Sequence, residues 1–301
     1  MTGVVVIGDV LIDELVDERE SHSVPGGSAL NVAVGLAVLG VPSTLVGMIG
    51  DDADGRRIRA YLDDWGVPLL ATIGPRGTGR AISGRSGGEP TYRFTRASVE
   101  RRIRVDPPVA ALVATAGVVA ISGFPFDRDD QVDELIGLIG RSGALVAVDP
   151  NPRSGMIVDR DAFRAGLERV AATAALIKLS DEDAHLLYGL PLDLVIDRYL
   201  SLVSLAVLAT TGARGASLHT RSSVDARGIV HDPRPIVDTM GAGDATFAVA
   251  LAALARAEPG TSIDWPSVLD VAMSTAAETI RHPGALLRRH PGERDEEPPL
   301  S

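Results

Sequence analysis

The chain has 301 residues, with 29 Lys or Arg against 40 Asp or Glu, and a formal net charge of −11. This balance argues against a nucleic-acid or anionic-membrane partner, because both bind basic surfaces. Cysteine is absent, which excludes a disulfide framework, a thiolate nucleophile and a cysteine metal site. The amino-terminal segment lacks the basic region of a signal peptide, and no apolar run has the length of a membrane span. We therefore expect a cytoplasmic protein.

Short apolar strands alternate with helical segments along most of the chain. The predicted strands are Val4–Ile7, Thr44–Ile49, Val118–Ser122, Leu145–Val148, Ala175–Lys178 and Leu205–Ala209. The predicted helices are Ser28–Leu39, Asp54–Trp65, Gln131–Arg141, Ala162–Ala172, Asp181–Tyr188, Leu194–Leu202, Ala245–Ala257 and Pro266–Ile280. This alternation predicts an α/β fold in which a mostly parallel sheet has helices on both faces.

Two regions depart from the alternation. Residues 69–104 contain short alternating runs around a turn at Gly87–Pro90, which predicts a small β lid together with part of 11–24. Ala216–Thr220 and Gly228–His231 predict an antiparallel extension of the main sheet. We expect one domain over residues 1–291 and a disordered, charged tail over 292–301.

Polar residues and glycines follow several predicted strands. In an open α/β sheet, ligands bind beyond the carboxyl ends of the strands. Each group taken alone is also compatible with an ordinary turn or helix cap. The candidates are Asp9, Asp13, Gly26, Gly27 and Asn31, then Asp149, Asn151 and Arg153, then Lys178, Ser180 and Asp183, then Thr210, Gly212 and Gly215.

The segment DTMGAGD, from Asp238 to Asp244, precedes the helix predicted at Ala245. An ordinary helix start needs only one capping residue. Here Gly241, Ala242 and Gly243 leave three successive backbone N–H groups uncovered, and the helix dipole adds positive potential. A carboxylate at such an anion site would repel the anion unless it acts as a proton acceptor. Phosphoryl transfer needs this combination, because a base takes the hydroxyl proton while amides stabilise the charge on phosphate.

Motifs of competing chemistries are missing from the sequence. There is no GxxxxGK[ST] phosphate loop, no GxGxxG after the first strand, no HExxH and no GxSxG. The six histidines are scattered, which argues against a histidine metal site.

From about residue 3 to residue 287 the chain resembles the ribokinase-like (pfkB) carbohydrate kinases. The most specific match is DTMGAGDATF, followed by GGSALNVAVGLAVLG with GMIGDDADGRRIRAYLDDWGV. Weaker matches are GDVLID, the TGRA…GGEPTYRFTR hairpin, VDPNPR, IKLSDEDAHLLYG and TTGARGA, in the family's order. The resemblance implies a ribokinase-like fold with a β lid over the sugar site, and phosphorylation of a sugar hydroxyl by ATP.

The resemblance also implies individual roles. Asp244 is similar to the family's catalytic base, and Gly241, Ala242 and Gly243 to its anion hole. The residues similar to sugar-binding positions are Asp13, Gly26, Gly27 and Asn31, with Asp9 a weaker candidate. Those similar to the ATP-side positions are Lys178, Ser180, Thr210, Gly212 and Gly215.

The resemblance implies two cations and contains one departure. Asp238 resembles the residue that helps to hold K⁺ in many members. Many relatives have Asn-x-x-Glu, which organises water around Mg²⁺, where this chain has Ser180 and Asp183. Asp183 is one methylene shorter than that Glu, and its expected role towards Mg²⁺ is through water.

The substrate stays open at this level. Arg96 and Arg153 resemble positions in fructokinases and 2-keto-3-deoxygluconate kinases, and two arginines at one site suit an acidic group. Either arginine is equally compatible with a surface position. We expect a ketose or a keto-sugar acid, with a nucleoside kinase of the same fold or a non-catalytic sugar sensor as the alternatives. The lid also offers exposed β edges for a homodimer.

Overall fold

The structure, a computed structural model, describes residues 3–16, 21–84, 91–258 and 260–287, and contains two sheets. The strands are β1 (Val4–Gly8), β2 (Leu11–Val16), β3 (Ser21–Gly26), β4 (Ser43–Ile49), β5 (Leu69–Ile73), β6 (Gly79–Gly84), β7 (Thr91–Phe94), β8 (Val118–Ser122), β9 (Leu145–Asp149), β10 (Leu176–Ser180), β11 (Ala206–Thr210), β12 (Ala216–His219) and β13 (Val224–Arg227). The large sheet has nine strands in the order β13-β12-β11-β10-β9-β8-β1-β4-β5, parallel except for β12 and β13. The predicted α/β architecture with a mostly parallel sheet is confirmed.

Helices cover both faces of the large sheet. The helices of the described residues are α1 (Ser28–Val38), α2 (Ala53–Asp64), α3 (Arg96–Val99), α4 (Pro107–Thr115), α5 (Asp129–Ile139), α6 (Arg160–Ala171), α7 (Asp181–Tyr188), α8 (Leu192–Leu200), α9 (Ala242–Arg256) and α10 (Trp265–Thr279). The short α3 contacts β6 and β7 of the small sheet instead. Side chains alternate along β1, so Val4 and Val6 join the core beneath α1 and α9, whereas Val5 and Ile7 join the core beneath α5 and α6. Within the described residues, no helix has both the length and the apolar character needed to cross a membrane.

The small sheet has the strand order β3-β2-β6-β7 and differs from the expected lid in one strand. The prediction placed the lid mainly in residues 69–104, but β5 pairs in parallel with β4 at the edge of the large sheet. It does so because α2 connects the two strands as an ordinary crossover. Arg80 of β6 pairs with Glu14 of β2 within the small sheet (2.9 Å), and its ion pair with Asp54 of α2 (2.6 Å) joins that sheet to the large domain. Residues 17–20 and 85–90 of the predicted lid lie outside the described residues.

The antiparallel extension was correctly expected, but its second strand was placed four residues too late. The structure has β13 at Val224–Arg227, whereas the prediction chose Gly228–His231. The turn explains the difference, since Thr220 N–H donates to Ser223 O at 2.9 Å and brings the chain back at once. The predicted tail, residues 292–301, lies outside the described residues.

Candidate active site

Two helices begin side by side at the carboxyl edge of the large sheet. The N-cap of α1 is Gly27, with φ 100°, and that of α9 is Gly241, with φ 78°. Both positive φ values favour glycine, and neither residue has a side chain with which to cap its helix. For α1, Asp9 at the end of β1 substitutes, because its Oδ1 accepts the N–H of Ala29 at 3.2 Å.

Asp244 occupies the first turn of α9 and contacts α1. Its Oδ1 accepts a hydrogen bond from Ser28 Oγ at 2.7 Å, and its Oδ2 accepts one from Asn31 Nδ2 at 2.8 Å. Ser28 and Asn31 lie one turn apart on α1, so one helix face holds both carboxylate oxygens. Since an ionised carboxylate has about four acceptor positions, some remain for a ligand. Asp244 is half-buried and reachable.

The backbone preceding Asp244 offers donors to an anion. Within the described part of the chain, the N–H groups of Ala242, Gly243 and Asp244 have no acceptor in the protein. These groups lie at the positive end of the 15-residue helix α9. Ala242 and Gly243 of the predicted anion hole therefore offer free donors beside a carboxylate, and Gly241 is the N-cap of α9.

Lys178 lies beneath this turn. A Cβ added to Gly243 would lie 3.1 Å from Lys178 Nζ, so the missing side chain leaves room for the ammonium group. Lys178 is buried and forms an ion pair with Asp149 Oδ2 at 2.9 Å. Burial opposes its charge, but the neighbouring Asp149, Asp183 and Asp244 carboxylates outweigh burial and raise the pKa of Lys178. A fixed positive charge therefore lies below the free N–H groups.

Asp9 and Asp13 form the acidic wall of the same site. Burial raises the pKa of Asp9 to about 6, although Arg101 opposes the shift. Burial raises the pKa of Asp13 to about 7, with further increases from Asp9 and Asp244. Gly26 leaves room for the Asp13 carboxylate, because a Cβ there would lie 2.0 Å from Asp13 Oδ2. The predicted sugar-binding residues of the amino-terminal region are thus brought together around Asp244.

The residues predicted on the nucleotide side follow β10 and β11. Ser180 and Asp183 form a capping box, in which Ser180 Oγ accepts Asp183 N–H at 3.0 Å and Asp183 Oδ2 accepts Ser180 N–H at 2.8 Å. Thr210 lies opposite Ser180 in the parallel ladder. The following loop closes on itself, because Thr211 N–H donates to Gly215 O at 2.8 Å. Gly212 lies exposed in this loop.

The donor set at this edge suits a hydrated metal ion. No group of three or more His, Asp or Glu side chains converges as a metal site among the residues that the structure describes. Mg²⁺ bound here would be held mainly by phosphate oxygens and water, as is usual for that ion. Asp183 fits such a role through water only, since its Oδ2 already accepts a hydrogen bond.

Asp238 ties two loops together. Its Oδ1 accepts Met240 N–H at 3.0 Å, and its Oδ2 accepts Gly284 N–H at 3.2 Å. The carboxylate therefore holds the segment that leads into α9 against the segment that follows α10. Each oxygen keeps acceptor capacity, so the position remains compatible with a cation.

The two predicted substrate arginines have different surroundings. Arg153, after β9, is close enough to Asp9 and Asp13 to oppose the rise of both pKa values. Arg96 at the start of α3 has a side chain that is 75% exposed and pairs with Glu100 at 3.0 Å. The structure therefore brings Arg153 to the acidic wall and leaves Arg96 in solvent.

A comparison with protein families shows which family the chain belongs to. The model of the pfkB family of carbohydrate kinases matches residues 1–289. This chain belongs to the pfkB carbohydrate kinases. It is 34% identical over 265 residues to a fructokinase of Klebsiella pneumoniae, with 83% of each chain covered.

Solved structures agree on the fold. A sugar kinase of Pyrococcus horikoshii, solved with ATP, matches with a TM-score of 0.78 at 22% identity, covering 95% of both chains. A fructokinase of Vibrio cholerae, solved with fructose, ADP and a potassium ion, matches with a TM-score of 0.75 at 22% identity, covering 95% of this chain and 94% of that one. The chain is thus a carbohydrate kinase with the fold predicted from its sequence.

Sequence reasoning missed three residues that lie around the candidate site of this carbohydrate kinase. Ser28 lies in the quoted motif GGSALN, one turn before Asn31, and the helical spacing was a signal for it. Ser122 ends β8 at the same sheet edge, a position that the same strand-end rule marks. Arg101 lies beside Asp9 and donates through Nε to Gly123 O at 3.1 Å and through a second nitrogen to Ser98 O at 3.2 Å. Nothing in its Arg-rich segment distinguished it.

Proposed function

We propose that this carbohydrate kinase transfers the terminal phosphoryl group of ATP to a hydroxyl of a small uncharged sugar, with Asp244 as the general base. The observation that carries the proposal is the position of Asp244. Its carboxylate lies in the first turn of α9, beside three free N–H groups and against α1. One group can accept a hydroxyl proton while the others bind phosphate oxygens.

The proposed step conserves atoms and charge. The sugar oxygen attacks the terminal phosphorus, its proton passes to Asp244, and the bond to the bridging oxygen breaks so that ADP leaves. The N–H groups of Ala242 and Gly243 stabilise the charge on the transferring group, and the ammonium of Lys178 adds to the field from below. Effects of this kind contribute about 10²–10⁴-fold for the base alone.

The charges around the site favour a neutral sugar. Asp244 raises the pKa of Asp9, and both carboxylates raise the pKa of Asp13, whereas Arg153 is the one predicted substrate arginine beside them. A sugar acid or sugar phosphate would meet this acidic wall, but carboxylates accept readily from sugar hydroxyls. The similarity to fructokinases supports a ketose. We therefore propose fructose or a related ketose.

The other edge of the site is proposed for the nucleotide. Related sugar kinases have been solved with ATP, and here Thr210 ends β11, with Gly212 and Gly215 in the loop that follows. When bound, Mg²⁺ would neutralise phosphate charge, with Ser180 and Asp183 contacting its water. Asp238 is the candidate K⁺ position, and a titration with K⁺ against Na⁺ during turnover tests it.

A substrate panel tests the proposed function. Sugars, sugar acids, sugar phosphates and nucleosides are offered with ATP and Mg²⁺, and ADP release is followed by a coupled assay. The proposal predicts the highest kcat/KM for a neutral ketose. Phosphorylation of adenosine with inert sugars would replace it by a nucleoside kinase, and sugar binding by calorimetry without turnover would replace it by a sensor.

The lid is also proposed as a dimer surface. Paired residues and residues two apart share a face of a sheet, so Leu15 and Val24 lie on the face that carries Asp13. Both are exposed apolar side chains. Light scattering at micromolar concentration should give twice the chain mass, and Leu15→Glu with Val24→Glu should give the monomer.

A further inference from the structure

Two buried serine hydroxyl groups form a hydrogen-bonded chain that ends at Asp244, the candidate base. Ser28 is the first residue of α1 and 3% exposed, and Ser122 is the last residue of β8 and 0% exposed. Ser28 Oγ lies 2.5 Å from Ser122 Oγ and 2.7 Å from Asp244 Oδ1. The three groups come from separate elements, so the fold rather than local sequence aligns them.

The direction of these hydrogen bonds follows from proton counting. An ionised carboxylate only accepts, so the single hydroxyl proton of Ser28 points to Asp244. Ser28 can then only accept from Ser122, whose proton points to Ser28. Hydrogen bonds in such a chain polarise one another, and each strengthens the next. The chain therefore stabilises negative charge on Asp244.

Other side chains already cap α1 and bind the second carboxylate oxygen of Asp244. The N–H of Ala29 is bonded by Asp9, so Ser28 is not needed as the cap of α1. Ser28 is too buried to offer much surface to a sugar hydroxyl, and the single hydroxyl proton of Ser28 is already donated to Asp244. Asn31 holds the second carboxylate oxygen, which leaves the remaining acceptor positions of Asp244 aimed away from α1.

We propose that Ser28 and Ser122 are positioning residues, a polarised hydroxyl pair that holds Asp244 ionised and oriented before the acceptor hydroxyl arrives. This rests on the proposed function, in which Asp244 is the base. The pair acts before the chemical step, and neither serine touches the reacting atoms. The sugar and ATP need not change affinity when the pair is lost.

Alanine variants test the pair through kinetics rather than stability. Ser28→Ala should lower kcat roughly 10- to 100-fold, the size of one hydrogen bond to a charged group, with both KM values changed less than about threefold. The acid limb of the pH profile of kcat/KM should move to higher pH, because the ionised carboxylate loses a donor. Ser122→Ala should also lower kcat and move the acid limb to higher pH, but both changes should be smaller.

Ser43→Ala is the matched control. Ser43 is a buried serine at the start of β4, and its Oγ donates to Ala33 O at 2.8 Å, at the opposite edge of the sheet. This variant removes the same hydroxyl from the same core, so kcat and the pH profile should stay those of the parent protein. Circular dichroism melts of all three variants separate folding from kinetics.

Two results would overturn the inference. In one, Ser28→Ala keeps the parent kcat and acid limb, so the pair does not act on Asp244. In the other, only the KM for sugar rises, which makes Ser28 a sugar ligand. If the parent protein phosphorylates no acceptor, the proposed function fails by itself. Carbon-13 NMR titration of the Asp244 carboxyl in the free protein then decides, because Ser28→Ala must move that titration to higher pH.

Discussion

Asp183 and Asp244 occupy the same position in two helices that begin at the same edge of the sheet. Each is the third residue after its N-cap, Ser180 for α7 and Gly241 for α9. The serine forms a capping box with Asp183, and that carboxylate binds its own helix. The glycine has no side chain to offer, so Asp244 instead contacts α1 and remains open to a ligand. The N-cap residue thus separates a structural aspartate from one that is open to a ligand, which is the proposed base.

The largest expected effect is that of Asp244→Asn, which keeps the shape of the side chain but not its basicity. We expect kcat to fall by about 10²–10⁴-fold while the melting temperature stays near that of the parent. The amide can still bond to Ser28 or Asn31, so packing is preserved. Steady-state kinetics with the best sugar of the panel and a thermal melt measure both quantities.

Gly243→Ala tests why the first turn of α9 carries so little side chain. The new Cβ would crowd Lys178 Nζ at 3.1 Å and Cε at 3.3 Å, which displaces either the ammonium or the N–H groups above it. We expect kcat/KM for ATP to fall about tenfold, because preorganised donors lose their positions.

Gly137→Ala in α5 is the control for that substitution. A Cβ there meets only Arg141 at 3.9 Å, so a stability gain of up to about 1 kcal/mol with unchanged kinetics is expected. Equal kinetics for the two alanine variants would contradict the crowding argument.

Asp13→Asn tests the acidic wall through pH. Burial, Asp9 and Asp244 raise the pKa of Asp13 from 3.8 to about 7, so between these pH values the folded protein holds a proton that the unfolded chain has released. The contribution of Asp13 to stability therefore falls as pH rises through this window. Without sugar, the variant should match the parent near pH 4 and melt on the order of 5 °C higher at pH 8.

Asp63→Asn, on the exposed side of α2, is the matched surface control for that comparison. A melting difference between Asp13→Asn and the parent that does not change with pH would show that Asp13 is not held in a buried, acidic setting.

The smallest effect is expected for Ser180→Ala. Loss of the capping box should cost about 1 kcal/mol of unfolding free energy, a few degrees of melting temperature, with kcat lowered less than tenfold. If this variant instead matches Asp244→Asn in kcat, the division between a structural and a reactive aspartate is wrong.

Sequence patterns predicted the elements whose structure depends mainly on residues close together in the chain. Buried apolar runs located β1, β8 and β9, and small residues before a helix located the free N–H groups of α9. The helix α4 was missed, although Pro107 at its start and Asp106, which caps Val109, are local signals for it. The edge position of β5 and the start of β13 depend on pairing partners, which the sequence does not display.

In the candidate site, too, the contacts between residues far apart in the sequence could not be predicted. Asp244 and Asn31 could be expected from motifs, but their contact across 213 positions could not. Ser28 and Ser122 become relevant only when α1, β8 and α9 meet, because a serine on its own carries no signal of its partner. The position of Arg101 beside Asp9 is equally a product of tertiary packing.

The most direct measurement of the central claim is the single-turnover rate of phosphoryl transfer by Asp244→Asn, followed by rapid quench at saturating ATP and sugar. This isolates the chemical step from product release. With Asp244 as the base, the rate falls by about 10²–10⁴-fold while the sugar dissociation constant stays within a few fold. A single-turnover rate equal to that of the parent would show that another group accepts the proton, and would contradict the account.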